Sequence, residues 1–205
     1  MASRSRPLLV GLAGSSGSGK TTLARSLAEA SRGVVLPQDA YYRDLSGLTS
    51  DERQRWNFDT PTAFDWERFA VDLAKLATGT SVHSPVYDYA SHTRTERTRL
   101  VVPGDLVVVE GLLVLHDERT RALFDLTVFL DVAPDIALER RVARDEAERG
   151  RDAAEVRSRF ARDVQPMYER WVAPTRRWAM LHLSSARPVM ELVACVRRRL
   201  GQSSE

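Results

Sequence analysis

The stretch GSSGSGKT, Gly14 to Thr21, fits the pattern G-x-x-x-x-G-K-[ST] and stands after an apolar run and before a segment of helical period. Glycines at these intervals let backbone N–H groups turn inward around phosphate oxygens, and the start of the following helix adds the positive end of its dipole. The spacing makes Gly14, Ser15, Ser16, Gly17, Ser18, Gly19, Lys20, Thr21 and Thr22 the expected phosphate-binding residues of a nucleoside triphosphate site. Lys20 would reach the β and γ phosphates, and the Thr21 hydroxyl would hold Mg2+. The competing reading is a Gly/Ser loop that only turns the chain. A dinucleotide fingerprint fits less well, because Thr22 stands where a third glycine should follow Gly17 and Gly19.

Two carboxylates are placed to work with such a loop. Glu110 ends the run LVVVEG, where a carboxylate is otherwise costly and where the carboxyl ends of parallel strands bind ligands. It is expected to hold Mg2+ directly or through water; the plainer alternative is a strand-end glutamate facing solvent. Asp39, in LPQDAYYRD, emerges at the same edge and could take a proton from a substrate hydroxyl as a phosphoryl group moves across. At an ordinary carboxyl pKa it is a weak base toward an alcohol, which suits a loose transition state with late proton loss. Its alternative is a turn-forming aspartate.

Two further clusters carry chemistry. PVYDYASHTR, Pro85 to Arg94, gathers flat rings, an imidazole and a carboxylate, although Tyr87 and Tyr89 read more simply as strand-face aromatics and His92 as a surface histidine. The four histidines have no zinc spacing. In RRVARDEAERGRD, Arg141 with Asp145 and Arg144 with Glu148 are i,i+4 pairs, so an ordinary solvated helix face, Arg140 included, is an open reading. Gly150 breaks that helix between Arg149 and Arg151 and is expected to leave both on a mobile turn.

The elements that must position these residues alternate between short apolar runs and helical segments, the pattern of βαβ units on a parallel sheet. The strand-like runs are Pro7 to Ala13, Val34 to Leu36, Leu106 to Val109 and Leu126 to Leu130, nearly continuous in Val and Leu as strands covered on both faces should be. Helical period marks Thr21 to Ala30, Trp66 to Ala77, Asp135 to Glu148 with Pro134 in its first turn, and Ala153 to Trp171. Pro188 to Leu200 reads as a closing amphipathic helix, and Thr80 to Val102 as an inserted hairpin.

With 205 residues, 43% of them hydrophobic and no linker or repeat, residues 1–205 are expected to form one domain. A net charge of +2 gives no reason to expect nucleic-acid binding. Cys195 is alone, which excludes an intramolecular disulfide and fits a reducing compartment. MASRSRPLLVGLAG is too briefly apolar for a signal peptide, and Asp105 and Glu110 interrupt the longest apolar run well short of the roughly 20 residues a membrane span needs. A cytoplasmic protein is the expectation.

Taken in order, Gly14–Thr21, QDAYYRD, NFDTPTAFD, PVYDYASHTRT, VVVEGLLVL, RRVARDEAERGRD and PMYERWVAPT resemble the uridine kinase (uridine-cytidine kinase) family of P-loop kinases, related to phosphoribulokinase. The resemblance covers most of residues 8–178. It implies an α/β, three-layer P-loop NTPase fold with a parallel central sheet, a nucleoside-gripping hairpin at about 80–102 and an arginine lid at about 140–152. It implies ATP, with GTP as an alternative donor, Mg2+, and phosphorylation of uridine or cytidine in pyrimidine salvage, by a homo-oligomer that is a tetramer in the resembled family.

By residue, the resemblance makes Asp39 the catalytic base, and Phe58 and Tyr87 the walls for the base. His92 would contact the base near C4, Asp59 would neighbour the ribose or 5′-hydroxyl, and Tyr42 would bind substrate. Arg141 would lie near the nucleoside, Arg144 near the transferred phosphoryl, and Arg149 and Arg151 in the lid. The chain departs from the family's pattern at Arg159-Phe160, where Gln-Tyr is common, and at Thr60-Pro61-Thr62-Ala63. It departs again at PTRRWAMLHLSSARP, which leaves open the last strand, the nucleotide-base side of the ATP site and the tetramer contacts. Open rivals are a same-fold kinase for another alcohol, such as phosphoribulose, pantothenate or another ribonucleoside, and a regulatory module that binds ATP without catalysis.

Overall fold

The computed structural model describes residues 6–150 and 152–201, excepting the side chains of Glu148 and Arg149. Its centre is a parallel sheet of β1 (Leu8–Gly14), β2 (Val34–Pro37), β5 (Leu106–Glu110), β6 (Leu126–Asp131) and β7 (Leu181–Ser184), after the hairpin strands β3 (Val82–Asp88) and β4 (Thr93–Val101). The spatial order is β2-β5-β1-β6-β7. β1 therefore runs between β5, with Leu12 opposite Glu110, and β6, with Gly14 opposite Leu130. This register brings the ends of β1, β2 and β5 to one edge, with Leu12, Glu110 and Pro37 side by side and Gly14 two residues further along β1. β1 and β5 are buried along almost all their length because helices cover both faces, which is why they read as continuous apolar runs.

The helices are α1 (Lys20–Ala30), α2 (Ser50–Arg55), α3 (Trp66–Ala77), α4 (Glu118–Arg121), α5 (Pro134–Arg149), α6 (Ala153–Arg159), α7 (Gln165–Met167) and α8 (Val189–Arg199). Leu23, Leu27, Leu192 and Val196 of α1 and α8 form one core with Val10, Leu12 and Val108 on one face of the sheet. Phe69, Leu73 and Leu76 of α3 join Leu9, Val107, Val109 and Phe129 on the other. The result is three layers with the sheet in the middle.

The predicted helix over Ala153 to Trp171 is helical but not regular. Two π-turns, Phe160–Val164 and Tyr168–Val172, flank the short α7, in which Pro166 sits in the first turn. Pro166 has no N–H to donate and its ring crowds the carbonyl one turn back, so the wider turn accommodates it. A last strand is present despite the divergent sequence. β7 is an edge strand on β6, joined from Val128↔Leu181 to Asp131↔Ser184, and among its residues only Leu183 is buried. The helices α2 and α4 have no counterpart in the sequence expectations: both are short, and α2 buries none of its residues.

The hairpin is antiparallel, with an irregularity between Pro85 and Tyr87 that places three residues of β4 opposite Val86. The Thr95 hydroxyl bridges the gap by donating to the Val86 carbonyl at 3.1 Å. Arg94 fastens the hairpin to the body, donating to Asp65 at 2.9 Å and to the Tyr41 carbonyl at 3.4 Å. Asp65 is at the same time the N-cap of α3.

Candidate active site

The phosphate loop leaves β1 at Gly14 and enters α1 at Lys20. Gly17 has φ +82°, and a Cβ there would run into the backbone of Ala137 on α5; Gly19 caps α1 with φ +92°. Glycine is required at Gly17 for both reasons, left-handed backbone and close approach. Arg140 donates to the Gly17 carbonyl at 3.4 Å and Arg141 to the Ser16 hydroxyl at 3.1 Å, so α5 lies directly over the loop. Arg140 also reaches Ser185 beyond β7, at 3.3 Å. It is thus more than a solvated helix face. Lys20 folds back onto the Ser15 carbonyl at 2.8 Å.

Glu110, the last residue of β5, is buried, and Thr21 donates to it at 3.1 Å. Gln38 and Asp39 open a tight 3-10 turn after β2. Gln38 is fully buried and accepts from the Leu113 N–H at 2.9 Å, while Gly111 packs against its side chain. This ties the turn that carries Asp39 to the loop after Glu110. No motif marks Gln38, although a polar side chain at a β-strand exit is a usable signal for a buried anchor.

Lys20, Asp39, Glu110 and Asp59 act on one another electrostatically. Burial lowers the Lys20 pKa, against the opposing pull of Glu110 and Asp39, and Arg144 lowers it further. Burial raises the Asp39 carboxyl to about 6, with Glu110 and Asp59 pushing the same way and Lys20 and a Tyr42 hydrogen bond opposing. The ordinary carboxyl pKa expected from sequence therefore does not hold, because three carboxylates converge on one partly desolvated cleft. Asp39 is partly exposed as a residue, but its Oδ1 is enclosed with no hydrogen-bond partner among the described residues. Asp59 is raised as well, by burial, with Arg141, Lys20 and Arg159 working against the rise.

The aromatic residues of three separate segments lie together. Phe58 stacks on His92 at 4.9 Å and 22° and meets Tyr42 edge-on at 5.1 Å; Tyr87 lies 5.3 Å from Tyr42 and 6.3 Å from Phe58. Local turns set these positions. Asn57 Oδ1 accepts from the Asp59 N–H at 3.0 Å, and Thr60 donates to the Asn57 carbonyl at 3.1 Å, which fixes Phe58 and Asp59 on one turn. Asp88 accepts from the Ala90 N–H at 3.0 Å and the Ser91 hydroxyl at 2.6 Å, and His92 follows with φ +56°. A left-handed histidine is uncommon and places its ring on Phe58.

Arg144 pairs with its neighbour Asp145 at 3.1 Å, and Arg141 approaches the same carboxylate at 3.8 Å, the i,i+4 contact anticipated. Arg151 and the side chain of Arg149 lie outside the described residues, as does the Glu148 side chain. Arg159 donates to the Gln54 carbonyl of α2 at 3.0 Å. Among the described residues no three His, Cys, Asp or Glu side chains form a metal-binding group. Thr21 and Glu110 supply hard oxygens side by side, the kind of partial donor set that suits Mg2+ completed by phosphate and water. Among those residues, no helix is long and apolar enough to cross a membrane.

A sequence profile of the phosphoribulokinase / uridine kinase family matches residues 9–189. The chain belongs to that family. It is 41% identical over 177 residues to the uridine kinase of Limosilactobacillus reuteri, covering 85% of this chain and 81% of that protein. With the uridine kinase of Halalkalibacterium halodurans the identity is 42%, over 85% and 84% of the two chains. Among solved structures, D-glycerate 3-kinase from Cryptococcus neoformans superposes with a TM-score of 0.59 at 19% identity, over 80% and 78% of the chains, a likeness of fold. The layered P-loop kinase architecture expected from the motifs is the one observed.

Proposed function

We propose that the protein transfers the γ-phosphoryl of ATP to the 5′-hydroxyl of uridine or cytidine, giving UMP or CMP in cytoplasmic pyrimidine salvage. Uridine kinase relatives about two-fifths identical over most of the chain support this reading. The observation that carries it is the enclosed Asp39 Oδ1, which has no donor among the described residues, in electrostatic reach of Lys20 and near Tyr42 in the Phe58, Tyr87 and His92 aromatic cluster. A nucleoside hydroxyl supplies the missing donor, while its base takes the flat faces and its edge the imidazole.

In this reading Gly14 to Thr22 wrap the triphosphate, and Lys20 neutralises its β and γ oxygens. Thr21 and Glu110 would hold Mg2+, which would supply positive charge to the phosphate oxygens. Asp59 and Tyr42 orient the ribose. Asp39 accepts the hydroxyl proton as the new O–P bond forms and the bond to the β-phosphate bridging oxygen breaks. A carboxylate raised to about 6 is still ionised at neutral pH yet a better base than an unperturbed aspartate. Arg141 and Arg144 lie along the nucleoside and the moving phosphoryl. The test is ADP release with Mg·ATP and uridine, together with Asp39→Asn. The reading predicts uridine-dependent release that falls about a thousandfold or more in the variant while ATP binding persists. Undiminished turnover in the variant removes Asp39 from the base role.

A further inference from the structure

Asp145 is a buried carboxylate of α5 that the catalytic reading leaves unexplained. It is fully buried, on a helix otherwise rich in solvated charge, at the seam between α5 and α6. Arg141, Glu155, Val156 and Arg159 line the narrow crevice around it. A buried carboxylate is costly unless cations and hydrogen bonds compensate it. Among the described residues two guanidinium groups do so here. Arg144 donates from Nε at 3.2 Å and from Nη2 at 3.1 Å, and Arg141 Nε stands 3.8 Å away.

The geometry is unlike an incidental ion pair in two respects. Residues i and i+1 of a helix do not face each other, so the Arg144 side chain has to turn along the helix to reach Asp145. Each guanidinium also spends one edge on Asp145 and keeps another for the cleft. Arg141 reaches on to the Ser16 hydroxyl with Nη1 at 3.1 Å, and its charge is felt at Asp59. Arg144 keeps Nη1, and its charge is felt at Lys20. Among the described residues one carboxylate thus anchors two cations, whose charges act on different members of the same site. The backbone of Asp145 contributes too: its carbonyl accepts the Gly150 N–H that closes α5.

We propose that Asp145 is a positioning residue for phosphoryl transfer, which fixes Arg141 toward the phosphate loop and acceptor and Arg144 toward the transferred phosphoryl. This rests on the roles given above to those two arginines. Loss of the anchor leaves the charges present but misaimed, and a displacement of about 1 Å at such a group costs up to about a hundredfold in rate. A purely structural pair would lower stability and leave the chemistry of the folded fraction intact.

The experiment is a double-mutant cycle with Asp145→Asn, Arg144→Ala and the pair, reading kcat, KM for ATP and for the acceptor, and thermal melting. The proposal predicts that Asp145→Asn lowers kcat about ten- to a hundredfold with the ATP KM little changed, and that adding it to Arg144→Ala costs less than about threefold more. Losses that multiply, or a kcat within about twofold of the unmodified enzyme, overturn it. Arg144→Lys serves where Asp145→Asn does not fold. It keeps the charge and loses the two-point grip, so a loss close to that of Arg144→Ala supports the proposal and near-full activity contradicts it. The cycle is read in acceptor-independent ATP hydrolysis as well as with uridine. Hydrolysis without uridine turnover would sink the nucleoside reading and still decide the role of Asp145, whereas a protein with neither activity overturns both.

Discussion

Replacing Asp39 by asparagine should make the protein more stable as well as inactive. The folded carboxyl titrates at about 6 against 3.8 for the free side chain, so the fold prefers the neutral form. A raised pKa of this kind leaves stability intact below the unfolded pKa and removes it as pH rises through the folded one. The difference of about 2.2 units corresponds to about 3 kcal/mol once both states are ionised. Linkage gives about 1.6 kcal/mol at pH 5 and about 3 kcal/mol at pH 7.5, upper figures because solvent at the cleft mouth screens part of the effect. Asparagine keeps the shape and can still accept the Tyr42 hydrogen bond, while it no longer titrates.

The assay is urea unfolding of the nucleotide-free protein and the Asp39→Asn variant at both pH values. The variant should be the more stable, by a gap that widens between pH 5 and pH 7.5 and reaches several degrees in Tm at the upper end. A variant less stable than the parent, or a gap independent of pH, would refute the argument that burial and neighbouring carboxylates strain Asp39. The same variant should retain ATP binding, since Asp39 does not belong to the phosphate loop.

Other consequences follow from the geometry. Phe58→Ala removes the ring stacked on His92 and should raise the uridine KM about five- to a hundredfold, at about 1–3 kcal/mol per stacked base, leaving the ATP KM within about twofold. Gly17→Ala places a methyl against the Ala137 carbonyl at φ +82°; the phosphate loop and α5 must part, and kcat/KM for ATP should fall at least about tenfold in steady-state kinetics. Arg94→Ala frees the hairpin from Asp65 and the Tyr41 carbonyl and should cost about 1–3 kcal/mol in chemical denaturation, with a raised uridine KM. An unchanged uridine KM in that variant would show that the hairpin holds its place without this tether.

Much of this architecture could be read from the residues alone because the signals were local. β1 and β5 announce themselves as apolar runs since both their faces are covered, and the phosphate loop is legible because its left-handed Gly17 and Gly19 and its Lys20 lie within four residues of one another. The aromatic cluster was legible only through resemblance. Phe58 and Tyr87 come from separate loops, and no local pattern distinguishes a ring that faces a ligand from one that faces the core. The elevated Asp39 pKa was out of reach for the same reason, since Glu110 and Asp59 approach it from distant segments. Asp145 looked like half of an i,i+4 pair, and only packing of α6 against α5 shows it enclosed and shared by two arginines. The edge strand β7 was doubtful because one buried leucine is too weak a pattern to mark a strand. The π-turns around Pro166 depend on how a continuing helix absorbs a proline, which sequence period does not reveal.

The central claim, that this cleft phosphorylates a pyrimidine ribonucleoside, is tested most directly by measuring ADP release from Mg·ATP across a panel of acceptors. The panel is uridine, cytidine, deoxyuridine, adenosine, guanosine, ribulose 5-phosphate and pantothenate, with the phosphorylated product identified in each case. The account predicts turnover with uridine and cytidine, at the 5′-hydroxyl, and kcat/KM at least about a hundredfold lower for the purine nucleosides, the sugar phosphate and pantothenate. Preferential turnover of any of those four, or ATP binding without acceptor-dependent ADP release, would contradict it.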